Sequence, residues 1–434
     1  PPYTGTSVRP RKLSLIPAMS TLAFYAEERL RLPVARHTFE VNGGVRVSQM
    51  LNLPTTYTMR GQWYADPRVN LGWSFPQFQI GKWATNIRLQ GGVGQHTKFP
   101  TMDYIYPDPR YLDIIQLSYY SPNEALRTIN VRTFVLDVAN KNIQPAHNFK
   151  WEMGTDINVA GNHLSLTFFH EDMKSGFRAN TIYHPYSFKQ FNTSGIDANS
   201  LISPPDVNKL PYTIEQELFG NTEYTNGSRT LKKGLEYTFS TPRFKTLQTR
   251  LTINGAWFKT LYRNSQVVAY RPSAVLNGKQ IQYVGLYRDN DGLKTEMANT
   301  NFTFDTNIPK LRLGFSLSAQ CLWFTSSQRL PLSNEPEQYM APDGTLHDWK
   351  EEDTNDTYLR FLVRDHTAKE YIKYTVPFSM NLNLKVTKKL LNDRLNIAMF
   401  CNRMLDYTPD YKQNEITIRR SVRPYFGLEI NLKL

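Results

Sequence analysis

Cysteine is nearly missing, apolar runs are short, and the glycine signatures of nucleotide and hydrolase sites are absent. Each shortage removes a class of protein. With only Cys321 and Cys401 in 434 residues, no disulfide framework can hold the fold. No apolar stretch approaches the length of a membrane helix, and mean hydropathy is −0.49, so helical spans are excluded. The Walker, Rossmann and Gly-x-Ser-x-Gly patterns do not occur, which argues against an enzyme and against any cofactor. No heptad or other sustained helical period runs through the chain. The opening Pro1-Pro2-Tyr3-Thr4-Gly5-Thr6 has neither a charged n-region nor an apolar h-region, as expected of a mature, trimmed or partial chain.

The net charge of +13 comes from 51 basic residues against 38 acidic ones, scattered without a Lys/Arg block. Scatter of this kind suits polar walls and loops, and no nucleic acid is expected. A weaker reading is attraction of anionic lipid head groups or an anionic ligand.

What is present is a period of two. Val376, Phe378, Met380, Leu382, Leu384 and Val386 alternate with Pro377, Ser379, Asn381, Asn383 and Lys385. Leu395, Ile397 and Met399 continue the pattern, and Pro424, Phe426, Leu428, Ile430, Leu432 and Leu434 close it. Alternating side chains point to opposite faces of a strand, giving each segment one greasy and one wet side. Strands in water usually run to about five or six residues. Alternation over about ten residues is what a tilted strand needs to cross a bilayer. The fold class is therefore all-β, an antiparallel transmembrane β-barrel. Cys321 and Cys401 both fall on the apolar phase with one strand between them, about 9–10 Å apart. That is beyond disulfide reach, so they are expected to be lipid-facing.

Strands are predicted near 20–32, 37–50, 62–75, 84–97, 147–160, 162–174, 232–243, 248–261, 297–308, 311–325, 374–388, 394–404 and 418–434, with 1–19 as a leading loop. Short turns (Pro33–Arg36, 160–162, Pro309-Lys310, Lys389–Asp393) alternate with long loops at 98–146, 175–231, 262–296 and 326–373. Short turns on one rim and long loops on the other are the layout of bacterial outer-membrane barrels. The first and last strands both run toward the short-turn side, so thirteen strands cannot close as an all-antiparallel barrel and the chain reads as incomplete. An additional hairpin, Ile114–Tyr120 with Asn130–Val138, would leave that parity odd.

Six segments then resemble a known family in order. They are Ala23-Phe24-Tyr25-Ala26-Glu27-Glu28 with Asn42–Arg46, Leu89–Thr101, Ile143–Gly154, Leu164–Lys174, Lys233–Glu236 and Cys401–Asp406. Together they are similar to the C-terminal barrel of TonB-dependent outer-membrane transporters of the Bacteroidetes type. The chain departs from that pattern at Ala146, usually acidic, and at Leu434, usually aromatic. The resemblance implies a 22-stranded barrel filled by an N-terminal plug, with this chain contributing about the last thirteen strands. It implies energy-coupled import of a bulky, scarce nutrient. The expected partners are outer-membrane lipid, the remaining strands and plug, a TonB-type energy transducer and a surface lipoprotein. The alternative is a barrel serving as a surface adhesin or assembly component.

Aromatic residues beside carboxylates in the long loops are the candidate substrate contacts: Asp103, Tyr104 and Tyr106 in one loop, Tyr183 and Tyr186 in a second, and Trp349 in a third. Trp73, Trp257, Trp323 and Tyr407 are expected in the aromatic girdles. His170-Glu171 has its nearest histidine, His163, on the opposite strand face, and His347-Asp348 and Asp365-His366 lie in one long loop where nothing fixes their geometry, so no metal site is expected.

Overall fold

The computed structural model describes residue 9 and residues 11–392, 394–413 and 415–433. The expectations for residues 1–6, Asp393 and Leu434 lie outside the described residues. One continuous sheet dominates. Its strands are β1 (Ser20–Val34), β2 (His37–Leu51), β3 (Tyr64–Ser74), β4 (Trp83–Lys98), β5 (Ala146–Val159), β6 (Asn162–Phe191), β7 (Tyr212–Ser240), β8 (Thr249–Asn264), β9 (Leu293–Ile308), β10 (Leu313–Arg329), β11 (Ser379–Leu390), β12 (Leu395–Tyr407) and β13 (Tyr425–Leu432). Each pairs antiparallel with the next in chain order, so the thirteen strands read from alternation form the path of this sheet, and two short strands, Phe78–Ile80 and Tyr374–Val376, pair beside it.

Register keeps the two faces apart along the strands, except at local shifts such as that at Ala298 and Asn299. Leu317 lies opposite Leu384, and Val386 opposite Met399. Met399 in turn meets Leu428 on β13. On the other face, Ser318 meets Asn383 and Asn396 meets Asn431. The burial of apolar groups is inverted relative to a water-soluble protein. Met399 is 66% exposed and Ile430 62%, whereas Met59, Ile105, Ile143 and Leu362, all in loops, are 0% exposed. Water would drive those strand residues inward, so the exposed face belongs in an apolar medium.

Two local features show how the wall is finished. The β5–β6 turn uses Ala160 (φ 50°) and Gly161 (φ 84°). Left-handed residues at both centres give the turn that matches the strand twist. On the apolar face, Gly255 carries no side chain, and the Tyr237 ring lies across it. The Tyr237 hydroxyl is 2.5 Å from Thr300 Oγ1, which also accepts the Trp323 Nε1–H at 2.7 Å. A Cβ at Gly255 would come within 2.5 Å of the Tyr237 oxygen.

Several boundaries depart from expectation. Strands β6 and β7 are 30 and 29 residues long, whereas about ten cross a bilayer. The stretch read as a loop at 175–231 is mostly the upper part of this hairpin. Its faces meet water and other loops, so its sequence carries no greasy alternation. Arg110–Tyr119 and Thr128–Leu136 do form a hairpin, but in a separate two-stranded sheet. The last strand begins at Tyr425 instead of near 418, because Pro424 has no amide hydrogen to donate and Ile416–Ile418 pairs with Tyr411–Gln413. Both cysteines are free, with β11 between their strands. Cys321 is covered, at 6% exposure, between Thr300 and Met380 on the adjoining strands, contrary to its expected lipid contact.

Replacing Leu384 with Arg places a charge on the apolar face and should cost about 2–4 kcal/mol near the midplane. Asn383→Arg, one residue away on the polar face, should be tolerated. Denaturant titration of the folded protein in lipid decides the assignment, and equal costs at the two positions would refute it.

Candidate functional site

The long β6–β7 hairpin is the spine against which the loops pack. At its base, Tyr104 stacks on Tyr224 with ring centres 4.0 Å apart and meets Phe177 edge-on at 5.3 Å. Tyr104 belongs to a short helix, Met102–Ile105, whose Ile105 enters a core of Met50, Leu53, Tyr57, Met59 and Ile143. The Tyr57 hydroxyl donates to the Ile105 carbonyl inside that core, and burial pushes its phenol up. Tyr106 donates to the Asn52 carbonyl at 3.3 Å, while Arg11 grips the Tyr106 carbonyl at 2.6 Å. Of the three residues singled out in this loop, only Asp103 is exposed.

Higher on the spine, Tyr183 lies opposite Gly220, and its ring occupies the space a side chain there would fill. Burial raises the Tyr183 phenol above its ordinary range. Tyr186 sits between Phe134 of the separate hairpin, at 5.1 Å, and Phe219, at 6.1 Å. Between these tyrosines, Pro185 abuts Gly344, where an added Cβ would meet the proline ring at 3.0 Å.

Gly344 belongs to the connection between Gln338–Met340 and Leu346–Asp348, which complete a four-stranded sheet with Val268–Tyr270 and Val284–Tyr287. On this sheet Trp349 meets Tyr339 edge-on at 6.3 Å. Tyr339 stacks on His347 at 5.2 Å and approaches Tyr283 at 6.0 Å, and Tyr283 faces Tyr358 at 6.1 Å. Tyr283, Tyr339 and Tyr358 form an aromatic row that sequence reading missed. They come from two different loops, and no spacing along the chain marks them. Burial raises the Tyr339 and Tyr283 phenols, helped by carboxylates such as Asp356. The indole N–H of Trp349 is buried without a hydrogen-bond partner among the described residues.

The six candidate residues thus fall in two regions. Tyr183, Tyr186 and Trp349 gather around the upper hairpin through the Pro185–Gly344 contact. Asp103, Tyr104 and Tyr106 lie at its base. Below both, the polar face of the sheet carries a charged network. Glu40 receives Arg29 at 3.3 Å and Arg88 at 2.8 Å, while Arg68 pairs with Glu27.

Residues 6–181 match the model of the family "TonB dependent receptor-like, beta-barrel". The match takes in β1 to β5 and the lower part of β6. Among solved structures, the siderophore receptor PirA from Acinetobacter baumannii is similar at 12% identity, with a TM-score of 0.38, over 89% of this chain and 50% of that one. The chain therefore spans about half the length of that receptor. No curated protein matches it. The matched family is one of transporters and receptors.

The histidines take ordinary roles. His170 stacks on Trp151 at 5.7 Å, and His163, on the opposite face, bonds Asn158 at 3.0 Å. His366 pairs with Glu370 at 3.2 Å. Among the described residues, no group of three His, Cys, Asp or Glu is placed to hold a metal.

The loop carrying Trp349 is anchored by a buried ion pair. Arg364 reaches both oxygens of Asp289 at 2.9 Å, lies over the Tyr287 ring at 3.6 Å, and bonds the Ser333 carbonyl. The Asp289 side chain is 2% exposed. Removing one partner leaves a buried charge unpaired, so Arg364→Met should destabilise this loop by about 3–5 kcal/mol. Limited proteolysis between residues 330 and 373 should accelerate sharply while the strand wall stays intact, and unchanged cleavage would show that the pair is not the anchor.

Proposed function

We propose that this chain is the C-terminal barrel portion of an energy-coupled importer in the bacterial outer membrane, and that it captures a bulky nutrient at its long-loop rim. One observation carries the reading. Thirteen antiparallel strands present an apolar face outward and a polar face inward, while the enclosed apolar clusters lie in the loops above them. The family match over residues 6–181 supports the same reading. On this view the wall is completed by further strands to about twenty-two, around a plug that a TonB-type transducer pulls on. A surface lipoprotein over the long-loop rim fits the same scheme. No bond of the nutrient is made or broken. The Bacteroidetes affinity rests on the six sequence segments alone.

Within this function the nutrient is held by the aromatic row. Tyr339, Tyr283 and Trp349 offer ring faces and edges, with Tyr183 and Tyr186 across the Pro185–Gly344 contact. Asp103, Tyr104 and Tyr106 act lower down, where a passing ligand meets Asp103 first. Aromatic faces beside carboxylates recognise molecules that combine apolar and hydroxyl or amide surfaces.

Changing Trp349 and Tyr339 to Ala together should weaken uptake about tenfold or more, since aromatic anchors commonly contribute more than about 1.4 kcal/mol each. The amount of heat-modifiable barrel in the outer-membrane fraction should stay the same. Uptake should also collapse when the proton-motive force is dissipated. Uptake that persists without that force would exclude energy coupling, and wild-type affinity in the double variant would remove the aromatic row from the site.

A further inference from the structure

The outward face of β7 and β8 carries a second feature that nutrient import does not use. Directly opposite partners on this face are Leu235 and Trp257, then Lys233 and Lys259, then Leu231 and Leu261, then Arg229 and Arg263. Two like-charged pairs therefore face each other across one strand boundary, about 13 Å apart along the strands. Like charges placed directly opposite repel, and folding alone gives no reason to set two such pairs in register.

The neighbouring strands neutralise Arg229 and, among the described residues, leave the other cations without an ion pair. On β6, Asp172 pairs with Arg229 at 2.8 Å. On β9, Glu296 stands opposite Lys259 but accepts the Trp257 Nε1–H at 2.9 Å and faces Lys373 at 3.8 Å. Lys294, on the same strand, lies opposite Leu261. Among the described residues, Lys233, Lys259, Arg263 and Lys294 have no carboxylate within 4 Å. His170 lies opposite Lys233 on the β6 side.

Position along the strands gives the patch its meaning. Immediately below it the same face is apolar, through Leu235, Phe239, Leu251 and Ile253. Lys233 and Lys259 stand roughly seven to ten residues up from the short-turn ends of β7 and β8, about the length that crosses a bilayer. Trp257 lies at the junction, where an indole sits between hydrocarbon and polar surroundings.

We infer that this patch binds the phosphorylated headgroup of a membrane lipid in the outer leaflet. The lipid chains would lie on the apolar strip below, and the phosphates would separate the opposed cations. Two cationic stations favour a headgroup with more than one phosphate. The inference rests on the membrane orientation proposed above.

The test uses the complete transporter, purified from outer membranes in mild detergent. Its readouts are retained lipid phosphate per protein and affinity for vesicles with and without a phosphorylated anionic lipid. The triple variant Lys233→Gln, Lys259→Gln, Arg263→Gln should bind anionic vesicles about a hundredfold more weakly and lose the retained lipid. Lys232→Gln, one residue away on the polar face, should match wild type. If the triple variant does not reach the membrane, Lys233→Gln alone decides, with about a fivefold loss expected. Equal lipid retention in wild type and patch variants would overturn the lipid site and leave the import reading standing. Tight binding of inorganic phosphate alone, unchanged by lipid, would reassign the patch to a free anion and also overturn it. Wild-type protein absent from the outer-membrane fraction would overturn the orientation, and this site with it.

Discussion

In hydrocarbon every backbone N–H and C=O must find a partner within the protein, and the rest of this structure depends on that requirement. The ladder from β1 to β13 meets it strand by strand, with register shifts between β6 and β7, β9 and β10, and β11 and β12. Once the ladder exists, alternation sends every second side chain outward, and the outward set must be apolar. The polar remainder becomes an inner wall whose charges neutralise one another, as around Glu40. On the outer face Tyr237 and Trp323 likewise satisfy their polar atoms within the protein, sharing the Thr300 hydroxyl across the gap left by Gly255.

Where the strands leave the bilayer, water returns and the folding rules change. The loops enclose their apolar groups in the ordinary way, in the cluster around Met59 and at the fully buried Leu362. Such loops need anchors, and the Asp289–Arg364 pair with Tyr287 supplies one. Anchored loops of this kind hold aromatic rings in fixed relation to one another. The outward lysines opposite each other on β7 and β8 mark where lipid tails give way to headgroups.

How much was legible in the sequence depends on which forces act locally. Lipid imposes a period of two on consecutive residues, so β11, β12 and β13 could be read directly, with their facing. The upper halves of β6 and β7 were missed because outside the bilayer nothing enforces that period. Among the candidate contacts, aromatic composition drew attention to Tyr104 and Trp349 but carried no information on their surroundings. Tyr104 proved to be stacked on Tyr224, far away in the chain. Tyr283, Tyr339 and Tyr358 escaped notice because their row exists only after two loops meet.

The sequence by itself determined the thirteen strands of the wall's path, the side each presents to lipid, and the alternation of short and long connections. Each of these depends on neighbours one or two residues apart. The tertiary structure alone decided which loop aromatics meet, that Cys321 is covered, that Arg364 is buried against Asp289, and that Lys233 faces Lys259. Those relations depend on register between strands and on packing between loops, where the partners are distant in sequence and only the assembled sheet brings them together.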